Sequence, residues 1–159
     1  MIEIDVVDRQ GHHQVDSQRL VDATRHVLQT HGVTSGQVSI AVLDNDMIHE
    51  LNRDFLDHDF ATDVLSFVLE RENGMLEGEI AVSVEMAAEQ ADHYGWPTAH
   101  KLLLYVVHGA LHLVGLDDKQ PESLEQMRSA EQQACEWLGI GPPPQRPLQD
   151  PVPGDDTSS

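Results

Sequence analysis

The stretch His108-Gly109-Ala110-Leu111-His112-Leu113-Val114-Gly115-Leu116-Asp117-Asp118 decides how this chain is read. His108 and His112 are four residues apart, so on a helix they share one face, one turn apart. Two imidazoles so placed can grip one metal ion. Gly115 can end the helix in a left-handed conformation and turn the chain back. An acidic residue, Asp117 or Asp118, then arrives where a third ligand is needed. Two helical His and one ligand past a turn leave a coordination position open, the layout of a catalytic zinc that activates water. A His pair at this spacing is, on its own, an ordinary feature of surfaces and cores. Here both His lie in residues 102–116, a run without Asp, Glu, Lys or Arg, and buried imidazoles need partners. The zinc peptidases carry a Glu directly after the first His as general base. This chain has Gly109 there, which cannot move a proton, so peptidase chemistry is set aside.

The helix bearing the pair opens after Pro97 and is apolar around its whole axis, so it should be the central buried helix. Residues 2–7 alternate apolar and acidic, a strand signal. Residues 17–31 carry the helical stripe Leu20, Val21, Thr24, Val27 and Leu28, stopped by Gly32. Residues 38–43 read as a buried strand. Asp44 can cap a helix whose Met47, Ile48, Leu51 and Phe55 face inward. Residues 64–69 and 79–84 read as strands around the turn Asn73-Gly74. The run ending at Leu69 lacks clean alternation, which predicts a strand covered on both faces. Ser83 can cap a helix over 84–94, and Pro121 opens a last helix ending near Gly139. The order predicts an α+β fold, a small mixed sheet packed by helices, in one domain over 1–140. Residues 141–159 hold Pro142, Pro143, Pro144, Pro147, Pro151 and Pro153 among polar residues, and read as a disordered tail dispensable for folding.

The length of 159 residues fits one domain, and 40% hydrophobic content is enough for one core. The lone Cys135 excludes an internal disulfide and reads as a buried thiol, at helical spacing with Met127, Ala134 and Leu138. The start Met1-Ile2-Glu3-Ile4-Asp5 shows no export signal, and residues 102–116 are too few to span a bilayer. A cytoplasmic protein is expected, with no membrane partner. The net charge is −19, from 28 acidic and 9 basic residues, and no basic cluster exists. Long-range attraction to nucleic acid is therefore weak.

The helix segment resembles the H-G-x-L-H-L-x-G-x-D-H signature of the YbeY family, the bacterial ribosomal RNA maturation endoribonucleases. Leu51-Asn52 followed by Ala61-Thr62-Asp63-Val64-Leu65-Ser66-Phe67 is similar to that family's L-N…P-T-D-V-L-S-F block. Gly78-Glu79-Ile80-Ala81-Val82-Ser83 resembles its G-D-I-x-I-S strand, and residues 85–91 its E-x-A-x-x-Q-A helix. The resemblance runs from about Val38 to Gly139. It implies an α+β fold and one Zn²⁺ per chain held by His108, His112 and Asp118, where Asp118 takes the place of the family's third His. A carboxylate is an acceptable zinc ligand but adds negative charge and tilts preference toward harder divalent metals. Asp117 then either orients a metal-bound His or caps the turn after Gly115.

The family also carries an Arg in the loop before T-D-V-L-S-F, and the aligned residue here is Leu56. Arg53, one helical turn away, is a candidate substitute, although a solvated helix Arg is the plainer reading. His58, Thr62, Asp63 and Ser66 are the other candidates for the substrate cleft. No general base is assigned; Glu79 and Asp63 qualify only if the fold brings them into reach. The resemblance implies a zinc-dependent single-strand endoribonuclease in ribosomal RNA maturation and ribosome quality control, with ribosomal RNA and ribosomal subunits as partners and no DNA. Two alternatives stand beside it. One is a ribosome-assembly binding factor with a structural metal, marked by a closed fourth coordination position. The other is a zinc hydrolase of small molecules, marked by a deep narrow pocket.

Overall fold

The alternating start of the chain forms strand β1 (Ile2–Asp8) in the computed structural model, which describes residues 1–56 and 62–141. Helix α1 (Ser17–Thr30) begins where the Asp16 carboxylate accepts the Arg19 N–H, and it buries Leu20, Ala23, Thr24, Val27 and Leu28. Strand β2 (Ser35–Leu43) starts earlier than its apolar run, because pairing with neighbours on both sides extends it. Asp44 accepts the Met47 N–H at 2.8 Å and starts α2 (Asn45–Leu56). Strands β3 (Val64–Glu72) and β4 (Met75–Ser83) form a hairpin through Asn73 and Gly74. Ser83 caps α3 (Val84–Tyr94) by accepting the Met86 N–H. Pro97 precedes α4 (Thr98–Leu113), and α5 (Pro121–Leu138) ends at left-handed Gly139.

The sheet order is β1-β2-β4-β3, with β1, β2 and β4 parallel and β3 antiparallel to β4. The fold is thus α+β with a mixed sheet, as the element order predicts. Alternation along the strands sorts the side chains. Val38, Ile40, Val42, Leu76, Ile80 and Val82 join the main core with α1, α4 and α5. Leu43, Leu65 and Ala81 point the other way and meet Ile48 of α2 in a smaller cluster.

Two expectations are corrected. Strand β3 is not covered on both faces; it is an edge strand, with Val68 49% and Leu69 63% exposed. Its register slips between Val68 and Glu70, so the uneven pattern reflects a bulge at an edge. The inward stripe of α2 is also narrower than its sequence suggests. Ile48 is buried, whereas Phe55 is 70% exposed and meets Phe67 edge-on, ring centroids 6.3 Å apart.

Helix α4 is the centre of the molecule: it touches α1, α3, α5, β3 and β4. Gly109 lets it lie close on the sheet. A Cβ there would stand 2.9 Å from Ile80 Cγ2 and 3.1 Å from Ser66 Oγ and Val64 Cγ2. The Ser66 hydroxyl donates to the Gly109 carbonyl at 2.9 Å and pins the helix to β3. The absence of an acid after His108 is therefore also a packing requirement, since the sheet occupies that space.

Candidate metal centre

His108 and His112 leave the same face of α4, with ring centroids 4.6 Å apart. Their Nε2 atoms approach to 3.0 Å, and His108 Nε2 lies 3.6 Å from Asp118 Oδ2. Asp118 is delivered by the turn at Gly115, whose φ of 102° is open only to glycine. There the Leu116 N–H returns to the Leu111 carbonyl at 3.0 Å, and Arg71 donates to the Leu113 carbonyl at 3.3 Å. The three ligand atoms all lie within 4.8 Å of one another. Ligand atoms on a tetrahedral zinc stand about 3.3 Å apart, given metal–ligand bonds of about 2.0–2.1 Å. The observed separations bracket that value.

The hydrogen bonds give the same result. His108 Nδ1 faces the Glu131 carboxylate of α5 at 2.7 Å, in a buried contact. Donation from Nδ1 to that acid leaves Nε2 as a bare lone pair. His112 is hydrogen-bonded to the Leu116 backbone. Two lone pairs and a carboxylate oxygen thus converge on one point, an arrangement suited to a cation. Burial pulls the His108 pKa down, but the Glu131 hydrogen bond and the charges of Glu131, Asp63 and Asp118 outweigh it and hold the value above the ordinary one. Burial and the neighbouring His108 lower His112. Among the described residues no fourth His, Cys, Asp or Glu joins the group.

Glu131 is the residue the sequence reading missed. It follows Met127 by four positions and precedes Ala134 and Cys135, all buried on one stripe of α5. A Glu in an apolar stripe was the available signal, because buried carboxylates need partners. Asp117, the sequence candidate for orienting a His, accepts the Lys119 N–H at 3.1 Å and so shapes the turn.

The remaining candidates fall in different places. Asp63 lies on the metal side, within electrostatic reach of His108, Lys101 and Tyr105. Its Oδ1 accepts the Val64 N–H at 2.8 Å and the Thr62 hydroxyl at 3.3 Å. Its Oδ2 is buried with no partner among the described residues, and burial raises the carboxyl pKa. Ser66 is engaged with Gly109. Arg53 is half exposed and pairs with its neighbour Asp54 at 3.3 Å. His58 lies outside the described residues. Glu79 is paired with Phe67 and lines a groove of about 470 Å³ on the α2 face, together with Val7, Ala41 and Leu51. The sheet stands between it and the triad, which rules it out as a base there.

Fold and site together define an α+β protein in which two His of the buried helix and an Asp of the following turn lie close enough to hold a metal. The sequence matches the family model of Endoribonuclease YbeY over residues 5–139. Among curated relatives, Endoribonuclease YbeY of Rhodopirellula baltica is 47% identical over 69% of this chain. That match takes in only 57% of the relative's own length. The Salinibacter ruber protein of the same name is 38% identical over 76% of this chain and 82% of its own. A solution structure of TM1509 from Thermotoga maritima, 28% identical, covers 98% of this chain and 100% of its own at a TM-score of 0.58. The chain belongs to the YbeY endoribonuclease family.

Proposed function

We propose that the protein is a metal-dependent endoribonuclease that cuts single-stranded RNA during ribosomal RNA maturation and ribosome quality control, with one Zn²⁺ held by His108, His112 and Asp118. The observation that carries this reading is the convergence of three ligand atoms on one point, in a chain of this family. A divalent ion held there would polarise a phosphoryl oxygen of the substrate and lower the pKa of a bound water. Glu131 fixes the His108 ring and its tautomer. Asp118 contributes a negative charge that favours harder metals over a three-His site. Asp63 is the proton acceptor, a carboxylate on the metal side whose Oδ2 has no partner among the described residues and whose pKa is raised by burial. Thr62 holds that carboxylate in place. Ribosomal RNA and ribosomal subunits are the partners in this reading, which places the protein in the cytoplasm. Among the described residues no helix is long and apolar enough to cross a membrane.

Metal analysis combined with cleavage of a single-stranded RNA by wild type, His112→Ala and Asp63→Asn tests the proposal. His112→Ala should lose both metal and cleavage. Asp63→Asn should keep its metal and lose about 10²-fold or more in kcat. Metal-loaded wild type that leaves RNA intact would overturn it. The net charge of −19 favours one competitor, a ribosome-assembly factor with a structural metal. That competitor would bind subunits equally well in wild type and Asp63→Asn and cleave nothing.

A further inference from the structure

We propose that Lys101 is a phosphate-binding residue, holding a backbone phosphate of an RNA strand bound at the metal centre. This rests on the nuclease reading of the same site. Lys101, Tyr105, His108 and His112 fall at helical spacings of four, seven and eleven residues from Lys101, so one narrow stripe of α4 carries all of them. Seven residues separate Lys101 from His108, about 10 Å along the axis, so its stem starts on the same line as the ion and beyond it.

The cation is held rather than solvated freely. Its Nζ stands 5.4 Å from the Tyr94 ring centroid and 5.2 Å from that of Tyr105, a two-sided aromatic seat. Among the described residues it has no ion pair. Burial lowers its pKa, opposed by the charges of Asp63 and Glu131, the acids that also act on His108. An ammonium that is half buried, seated and without an ion pair among the described residues is available to a phosphate oxygen. Two further polar atoms on this side, Asp63 Oδ2 and Tyr105 Oη, are buried without a partner among the described residues.

Most of the other cations among the described residues are engaged elsewhere. Arg19 donates to the Leu138 carbonyl, Arg25 to that of Ile2 and Arg71 to that of Leu113. Arg53 pairs with Asp54, and Arg9 lines the groove on the opposite face of the sheet. Lys119 and Arg128 are exposed, with no seat of this kind. In a chain of net charge −19, one positive group fixed beside the metal is where a phosphate finds local attraction.

The test is fluorescence anisotropy of a labelled single-stranded RNA oligonucleotide binding to the full chain, titrated at several salt concentrations. Wild type, Lys101→Met, Lys101→Arg and Lys119→Met are compared, with metal content and melting temperature as controls. Lys101→Met should bind several-fold more weakly and flatten the plot of log affinity against log salt by about 0.7, the contribution of one single-strand phosphate contact. It should raise KM for cleavage more than it lowers kcat, and Lys101→Arg should restore most of the affinity. An unchanged affinity and slope in Lys101→Met, or a loss seen in Lys119→Met instead, would overturn the assignment while leaving the nuclease reading intact. If Lys101→Met fails to fold, Lys101→Arg binding with normal slope still supports the assignment, and Lys101→Arg losing the phosphate contact while folded refutes it. Wild type that binds no RNA at all brings down both.

Discussion

At the scale of single residues, the decisive pair is His108 with Glu131. Removing the carboxylate frees the His108 ring, and such partners are worth about 10- to 100-fold in metal affinity. Glu131→Ala should weaken zinc by that order in a competition titration, and Glu131→Gln by less; an unchanged affinity would make the contact incidental. The pH dependence has a definite sign. In the metal-free chain the His108 pKa is raised above that of the unfolded state. Its stabilising contribution is therefore complete below about pH 6.5, the unfolded value, and fades as pH rises through the folded value. Metal binding must expel that proton, so affinity should run the other way and fall as pH drops toward that same value. Melting curves of the metal-free protein and zinc titrations over this range check the two slopes, and parallel slopes would refute the account. Asp118→His should bind zinc at least as tightly as wild type, since imidazole is the softer donor that suits zinc, whereas a carboxylate suits harder metals. Markedly weaker binding would mean that the 3.6 Å approach of Asp118 to His108 is shaped for the shorter side chain. The His pair was legible in the sequence because four-residue spacing is local and fixed by helix geometry. Glu131 was hidden because its partner is 23 positions away, on another helix.

At the scale of elements, α4 and its seat on the β3–β4 hairpin matter most. Gly109→Ala would press a methyl group into Ile80, Ser66 and Val64. Overpacking of this kind costs about 1–3 kcal/mol, so the urea midpoint should fall and zinc affinity with it, as the helix lifts and the His faces turn. A variant as stable as wild type would show that Ile80 yields easily. The central position of α4 was readable from its continuous apolar run. The fates of Phe55 and Leu69 were not, because period alone cannot say whether a neighbour arrives to cover a face. Helix α2 packs only its first turns, and β3 has a partner on one side only. Burial also fixes the chemistry of α5. Cys135 is fully buried and its thiol is pushed up to about 12. A thiol reagent at neutral pH should label it only as fast as the protein opens, and rapid labelling of the native chain would contradict its place in the core.

At the scale of the whole molecule, 28 acidic residues on 159 act as a self-repelling shell. Raising salt from about 0.01 M to about 1 M shortens the screening length from about 30 Å to about 3 Å. The melting temperature should climb across that range, and a flat profile would mean that local pairing already balances the charge. The metal site has a wider mechanical consequence. Its groups come from three successive pieces of chain: His108 and His112 from the central helix, Asp118 from the turn, and Glu131 from the last helix. In the proposed reading a single ion would act as a rivet through the C-terminal third of the described chain, and its departure would loosen more than the cleft. Amide hydrogens of the Gly115 turn and of the α5 stripe around Glu131 would exchange faster once the ion is chelated, while β1 and β2 keep their protection. Occupancy of the site would then be written into the local opening free energy of a helix that supplies none of the three ligand atoms.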